Sequence, residues 1–170
     1  MPDDHDALLR DWQKNAAREQ EANYRFLRSL KVVRNPDQID SLAGELHEDA
    51  FARIDCTRCA NCCKTMSPTF TKTDIKRISK HFSQTPEEFT KKWLRKDRQG
   101  DMLNKVEPCQ FLDLKTNKCG IYEIRPADCA GFPHLPKRKM VDYMHVHKQN
   151  IEYCPATYKM VEKMQKLMEA

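Results

Sequence analysis

Between Asp6 and Lys31, the apolar residues Leu8, Leu9, Trp12, Ala16, Tyr24, Phe26, Leu27 and Leu30 recur at roughly helical spacing among charged neighbours. This periodicity predicts an amphipathic helix. A second helix is expected from Asn35-Pro36, a cap and first-turn pair, with Ile39, Leu42, Leu46, Ala50 and Phe51 on one face. Together they define a helical arm over residues 1–50. The apolar face of its first helix, Asp6 to Lys31, is a candidate docking surface for an unknown protein partner.

Farther along, Thr71 or Thr73 can cap a short helix through Ile75, Ile78 and Phe82, and Thr85-Pro86-Glu87-Glu88 opens another through Phe89, Trp93 and Leu94. Gly100 interrupts the helical pattern. Two strand-like runs follow, Met102 to Val106 and Cys109 to Leu114, with a turn at Thr116-Asn117-Lys118. Pro126 fits the first position of a helix that Gly131, Pro133 and Pro136 soon end. Residues Met140 to Tyr153 suit a strand or a helix. Tyr158, Val161, Met164, Leu167 and Met168 mark a C-terminal helix over residues 159–170, packed on a central domain of residues 51–158. The fold class expected is α+β, mostly helical: a small, irregular, metal-centred domain with short strands and an N-terminal helical arm.

Composition sharpens this picture. The 170 residues are 39% hydrophobic and 32% charged, so an apolar core needs further support, which a metal would supply. The net charge of +5 is spread among interspersed acids and bases, which argues for a mixed solvated surface and against nucleic acid as a partner. The Lys72 to Arg98 stretch is the most basic part. No basic start followed by an apolar run marks a secretory signal, and no stretch has membrane-spanning length. A cytoplasmic location without a membrane partner is therefore expected.

In a reducing compartment, eight cysteines point to metal or redox chemistry rather than to disulfides. Cys56, Cys59, Cys62 and Cys63 form CxxCxxCC, whose two-residue gaps let thiolates turn toward one centre, as in zinc and iron–sulfur loops. Consecutive side chains point in different directions, so Cys62 and Cys63 can serve different irons or two metals, or leave one thiol as a core residue or redox partner. Cys109, Cys119, Cys129 and Cys154 form a second, widely spaced set. The count permits two tetrahedral zinc sites, or a cubane-type cluster with four further thiols.

Candidates for an extra ligand are His134, His145 and His147, the last two alternating around Val146. Arg125 is a candidate to pair with thiolate charge or to hold a carboxylate, and Asp128, with Glu123 and Asp113, to orient ligands or move protons. Phe70, Phe111, Ile121, Tyr122 and Phe132 are spaced as a small core requires. With four glycines, the chain carries no phosphate-binding loop, nucleotide fingerprint or serine nucleophile elbow.

The run Pro108-Cys109-x-Phe111-Leu112, then Cys119-x-Ile121-Tyr122-x-x-Arg125-Pro126-x-x-Cys129-x-x-Phe132-Pro133, and later Cys154-Pro155 follows the CxxCxxCC group. Over roughly Asp55 to Ala156 this resembles the YkgJ-type cysteine-cluster family of zinc- or iron-chelating proteins. The resemblance implies metal binding through the cysteines, as iron–sulfur or zinc. Ala156 stands where many relatives are expected to carry glycine. Relatives include a protein associated with methylation of flagellin lysines, so a metal-dependent enzyme acting on a protein side chain is one alternative. A zinc-stapled interaction module is another. Adjacent cysteines and the absence of compact cysteine–histidine finger spacing lean the reading toward an iron–sulfur cluster.

Overall fold

The computed structural model describes residues 2–135 and 139–169; Pro136, expected to help end a helix, lies outside them. The protein is mostly helical, with two small antiparallel strand pairs, an α+β fold as expected. It divides into two compact units, Met1–Cys59 with Pro133–Ala170, and Ala60–Phe132.

Among the described residues, the elements of the first unit are all helices. The pattern expected to give one helix from Asp6 to Lys31 gives two, α1 (Pro2–Asn15) and α2 (Gln20–Ser29), followed by a 3-10 turn over Leu30–Val32. The turn between them lets both apolar faces reach one core. Trp12, Phe26, Leu27 and Leu30 are buried there, so the face expected to dock a partner packs against the protein's own residues. The Trp12 indole N–H donates to the Ile151 carbonyl at 2.9 Å, which satisfies its one polar group inside an apolar cluster.

Asn35-Pro36 starts α3 (Pro36–Phe51), whose buried Ile39, Ala43, Leu46 and Ala50 lie on the face predicted. The Met140–Tyr153 stretch is a 3-10 turn and then α9 (Met144–Tyr153), settling the strand-or-helix choice for helix. Both Asp40 carboxylate oxygens receive backbone N–H groups at the start of that turn, from Lys139 and Met140. The last helix, α10 (Pro155–Glu169), packs on α3, α9, α2 and α1 and buries Tyr158, Met160, Val161 and Met164. It begins earlier than residue 159 because Pro155 needs no intrahelical N–H partner at a first turn.

In the second unit, α6 (Lys72–His81) and α7 (Pro86–Trp93) each begin with a complete capping box, Thr71 with Asp74 and Thr85 with Glu88. Each box satisfies two otherwise orphaned N–H groups. Helix α7 runs straight into β1 (Leu94–Lys96), which pairs antiparallel with β2 (Met102–Asn104), Leu94 opposite Asn104. Gly100 has φ of +98° in the connection, a conformation that glycine adopts at little cost. A second pair, β3 (Leu112–Asp113) and β4 (Lys118–Cys119), sets Leu112 opposite Cys119.

Phe70, Ile75, Ile78, Phe89, Leu94, Phe111 and Ile121 form this unit's core. Phe82, Phe89, Trp93 and Phe111 stack within it at centroid distances of 5.3–6.3 Å. Of the five residues expected to form a small core, Phe70, Phe111 and Ile121 do so, Phe132 is half-buried and Tyr122 is exposed. Tyr122 instead carries the Arg125 guanidinium over its ring, 4.1 Å from the centroid.

Candidate metal centre

All eight cysteines are free thiols. The CxxCxxCC segment folds as two short helical pieces, α4 (Cys56–Cys59) and α5 (Asn61–Thr65), separated by Ala60 with φ of +49°. The left-handed residue reorients the chain between the second and third cysteines.

Within residues 60–132, four thiols from four stretches of chain come close enough to act on one another's charge. Cys63 bears on Cys109, Cys119 and Cys129; Cys119 bears on Cys109 and Cys129; Cys109 bears on Cys129. Backbone contacts build the cluster. The Cys109 N–H donates to the Cys63 carbonyl at 2.8 Å, and the β3–β4 ladder brings Cys119 back beside the segment that carries Cys109. The fourth stretch, α8 (Ala127–Gly131), carries Cys129.

Asp74 and Arg77, absent from the sequence-based candidates, hold that helix in place. Asp74, buried on α6, accepts the Ala127 N–H at 3.1 Å, besides the Thr71 N–H and hydroxyl. Arg77 bonds Asp74 at 2.9 Å and donates to the Ile124 and Arg125 carbonyls. Asp128 accepts the Thr69 N–H and hydroxyl at 2.9 and 3.2 Å, so it ties α8 to the chain leaving the CxxCxxCC segment. The Thr71-x-x-Asp74 spacing signals a capping box in the sequence, but nothing there shows that Asp74 reaches residue 127.

The thiols are not equivalent. Cys63, its sulphur 4.0 Å from that of Cys62, is held down to about 7 by that neighbour's hydrogen bond, against its own burial and with help from the Lys64 charge. Burial raises Cys109, Cys119 and, most strongly, Cys129, and the surrounding thiolates raise them further. Hydrogen bonds oppose this. The Phe111 N–H serves the Cys109 sulphur and the Ile121 N–H serves that of Cys119, each donor two residues on from its cysteine. The buried Asn104 amide nitrogen, which has no oxygen acceptor, lies by Cys109, and the Arg125 charge favours the thiolate of Cys119.

This donor set fits a thiolate-bound metal. Four gathered sulphurs repel one another as anions, and a cation reverses that repulsion while drawing off the protons. Among the described residues, no three His, Cys, Asp or Glu side chains close on a single point as a ready-made ion cage.

Cys59 and Cys154 belong to the helical unit. Cys154, buried immediately before α10, is raised by burial and by nearby Cys59, while the Ala156 and Thr157 N–H groups donate to its sulphur. Ala156 is itself buried and helical, so the position takes an ordinary L residue without strain.

The remaining candidates lie on other elements. His145 and His147 sit two residues apart on α9, about 200° around a helix; one is exposed and the other fully buried. His134 is half-buried with φ of +63°. Asp113 bonds the Lys115 N–H and the Thr116 hydroxyl, which makes it a turn residue.

Thiols gathered within residues 60–132 define a cysteine-rich metal-binding domain. The chain belongs to the CxxCxxCC family, described as "Putative zinc- or iron-chelating domain", which it matches over residues 55–157. Over 81 residues it is 35% identical to the uncharacterized protein MJ0661 of Methanocaldococcus jannaschii, a match covering 46% of this chain and 43% of that protein. The chain thus spans less than half the length of that curated relative. No solved structure matches it.

Proposed function

We propose that the protein holds an iron–sulfur cluster on Cys63, Cys109, Cys119 and Cys129. The observation that carries this reading is the gathering of four thiols from separate stretches within residues 60–132, two of them served by backbone N–H donors. When bound, such a cluster supplies one-electron redox chemistry or structural cross-linking. The chain's own part is to hold the sulphurs, to favour their thiolate forms through the Phe111 and Ile121 N–H groups, and to offset charge through Arg125. No compact cysteine–histidine finger spacing accompanies these thiols. Free thiols in this number suit the reducing cytoplasm. No helix among the described residues is long and apolar enough to cross a membrane.

Replacing Cys129 with serine tests the assignment, because a protonated hydroxyl is a poor substitute for a thiolate ligand. Iron and acid-labile sulfide per chain should both fall while far-UV circular dichroism remains helical, since the first unit has its own core. Unchanged iron and sulfide in Cys129→Ser and also in Cys119→Ser would overturn the assignment.

A further inference from the structure

We infer that Asn104 tunes the metal centre: when the cluster is bound, its side-chain amide donates a hydrogen bond to the Cys109 sulphur, in a direction set by Gln110. The inference rests on the reading of Cys63, Cys109, Cys119 and Cys129 as ligands of an iron–sulfur cluster, and deepens it.

Asn104 closes strand β2 opposite Leu94 and is only 1% exposed. Its backbone N–H donates to the Ser67 hydroxyl at 2.9 Å. Its side chain is held by Gln110, the residue after Cys109, whose Nε2 donates to the Trp93 carbonyl at 3.0 Å and to Asn104 Oδ1 at 2.9 Å. These bonds fix which end of the Asn104 amide is which. The Trp93 carbonyl can only accept, so the Gln110 atom facing it is nitrogen, and the Asn104 atom facing that nitrogen is oxygen. The Asn104 Nδ2 is thereby left on the other side of its carboxamide, buried and without an acceptor among the described residues.

A buried N–H donor with no acceptor is costly, and a leucine of similar volume would fill the same space without that cost. A donor so placed calls for an acceptor that the metal-free protein does not supply. The thiolate of Cys109 is at hand. Burial raises that thiol, and the Asn104 side chain is among the groups that work against it. Unlike the Phe111 and Ile121 N–H groups, which any residue but proline would provide, this donor belongs to the side chain and can be removed alone. A hydrogen bond to a ligand sulphur draws off negative charge and is stronger in the reduced, more negative state, so it raises the reduction potential of the centre.

Asn104→Leu tests the inference, since it removes the donor and leaves Gln110 bonded to the Trp93 carbonyl. The full chain, native and variant, is purified without oxygen, analysed for iron and acid-labile sulfide per chain, and titrated to its midpoint potential by visible absorption. The variant should carry native amounts of iron and sulfide at a lower potential. Equal potentials at equal iron and sulfide overturn the inference and leave the cluster reading intact. A native protein without iron and sulfide overturns the cluster reading, and the inference with it. Should Asn104→Leu fail to fold or to take up iron, an otherwise native chain decides. It is labelled with nitrogen-15 at asparagine side-chain amides, in an Asn61→Gln background that removes the label beside Cys62. In the reduced state, pulsed EPR should detect a nitrogen-15 coupling to the cluster, and its absence overturns the inference.

Discussion

At the scale of single residues, Asp74 illustrates how a metal-site scaffold is held by groups that never touch the metal. Its buried carboxylate is charged at a cost from burial, but Thr71, Arg77 and the Ala127 N–H together outweigh that cost and hold it below the usual carboxylate range. Removing it strands four donors. Asp74→Ala should destabilise the protein by about 3 kcal/mol, in the range for breaking a buried, hydrogen-bonded charge, as read from the urea midpoint. Because the folded-state pKa is lowered, Asp74 contributes its stability above the unfolded value of 3.8 and loses it as pH falls through the lower folded value. The stability gap between the native protein and Asp74→Asn should therefore be full at pH 6 and narrow below pH 4. A gap that stays constant on acidification would show that the carboxylate's charge is not what matters.

At the scale of elements, the aromatic stack of the second unit carries α7 against the segment that holds Cys109. Phe89 is fully buried and lies parallel to Phe111, 6.3 Å between centroids, and Phe111 is the residue whose N–H serves the Cys109 sulphur. Phe89→Ala should cost about 3–5 kcal/mol through lost burial and a residual cavity, and calorimetry should place the loss in the transition of this unit. A variant as stable as the native protein would mean the stack is dispensable.

Helices were the more legible elements. Thr85-Pro86 and the Thr71 box announce α7 and α6 from local chemistry alone. The break between α1 and α2 falls at Ala16, Ala17, Arg18 and Glu19, residues that favour helix; only the demand that two faces share one core interrupts them. Strand β1 was hidden for a related reason, since Leu94-Arg95-Lys96 has no alternating apolar pattern and owes its form to pairing with β2. The cysteines declared themselves by number and spacing. Their grouping did not, because the charges of Cys63 and Cys109 bear on Cys129 across long stretches of chain.

At the scale of the whole molecule, each unit has its own core, and the second is small. Residues 60–132 approach the size, about 70–80 residues, below which an apolar core alone supplies only a few kcal/mol and a structural metal is a common staple. Four sulphurs drawn from both ends and the middle of this unit would cross-link it at the points its short strands leave weak. Metal affinity and folding are then one free energy, so chelation should lower the melting temperature of this unit more than that of the helical unit, where α3 and α10 bury an extensive apolar surface. Equal losses in both, followed by hydrogen exchange, would place the stabilisation elsewhere.

The most direct measurement is to purify the protein without oxygen or affinity-tag histidines and determine iron, acid-labile sulfide and zinc per chain alongside the visible absorption spectrum. Iron matched by sulfide, with broad absorption in the visible, is the predicted result. A colourless protein with stoichiometric zinc and no sulfide would contradict the iron–sulfur assignment, and a protein without any metal would contradict the thiolate centre itself.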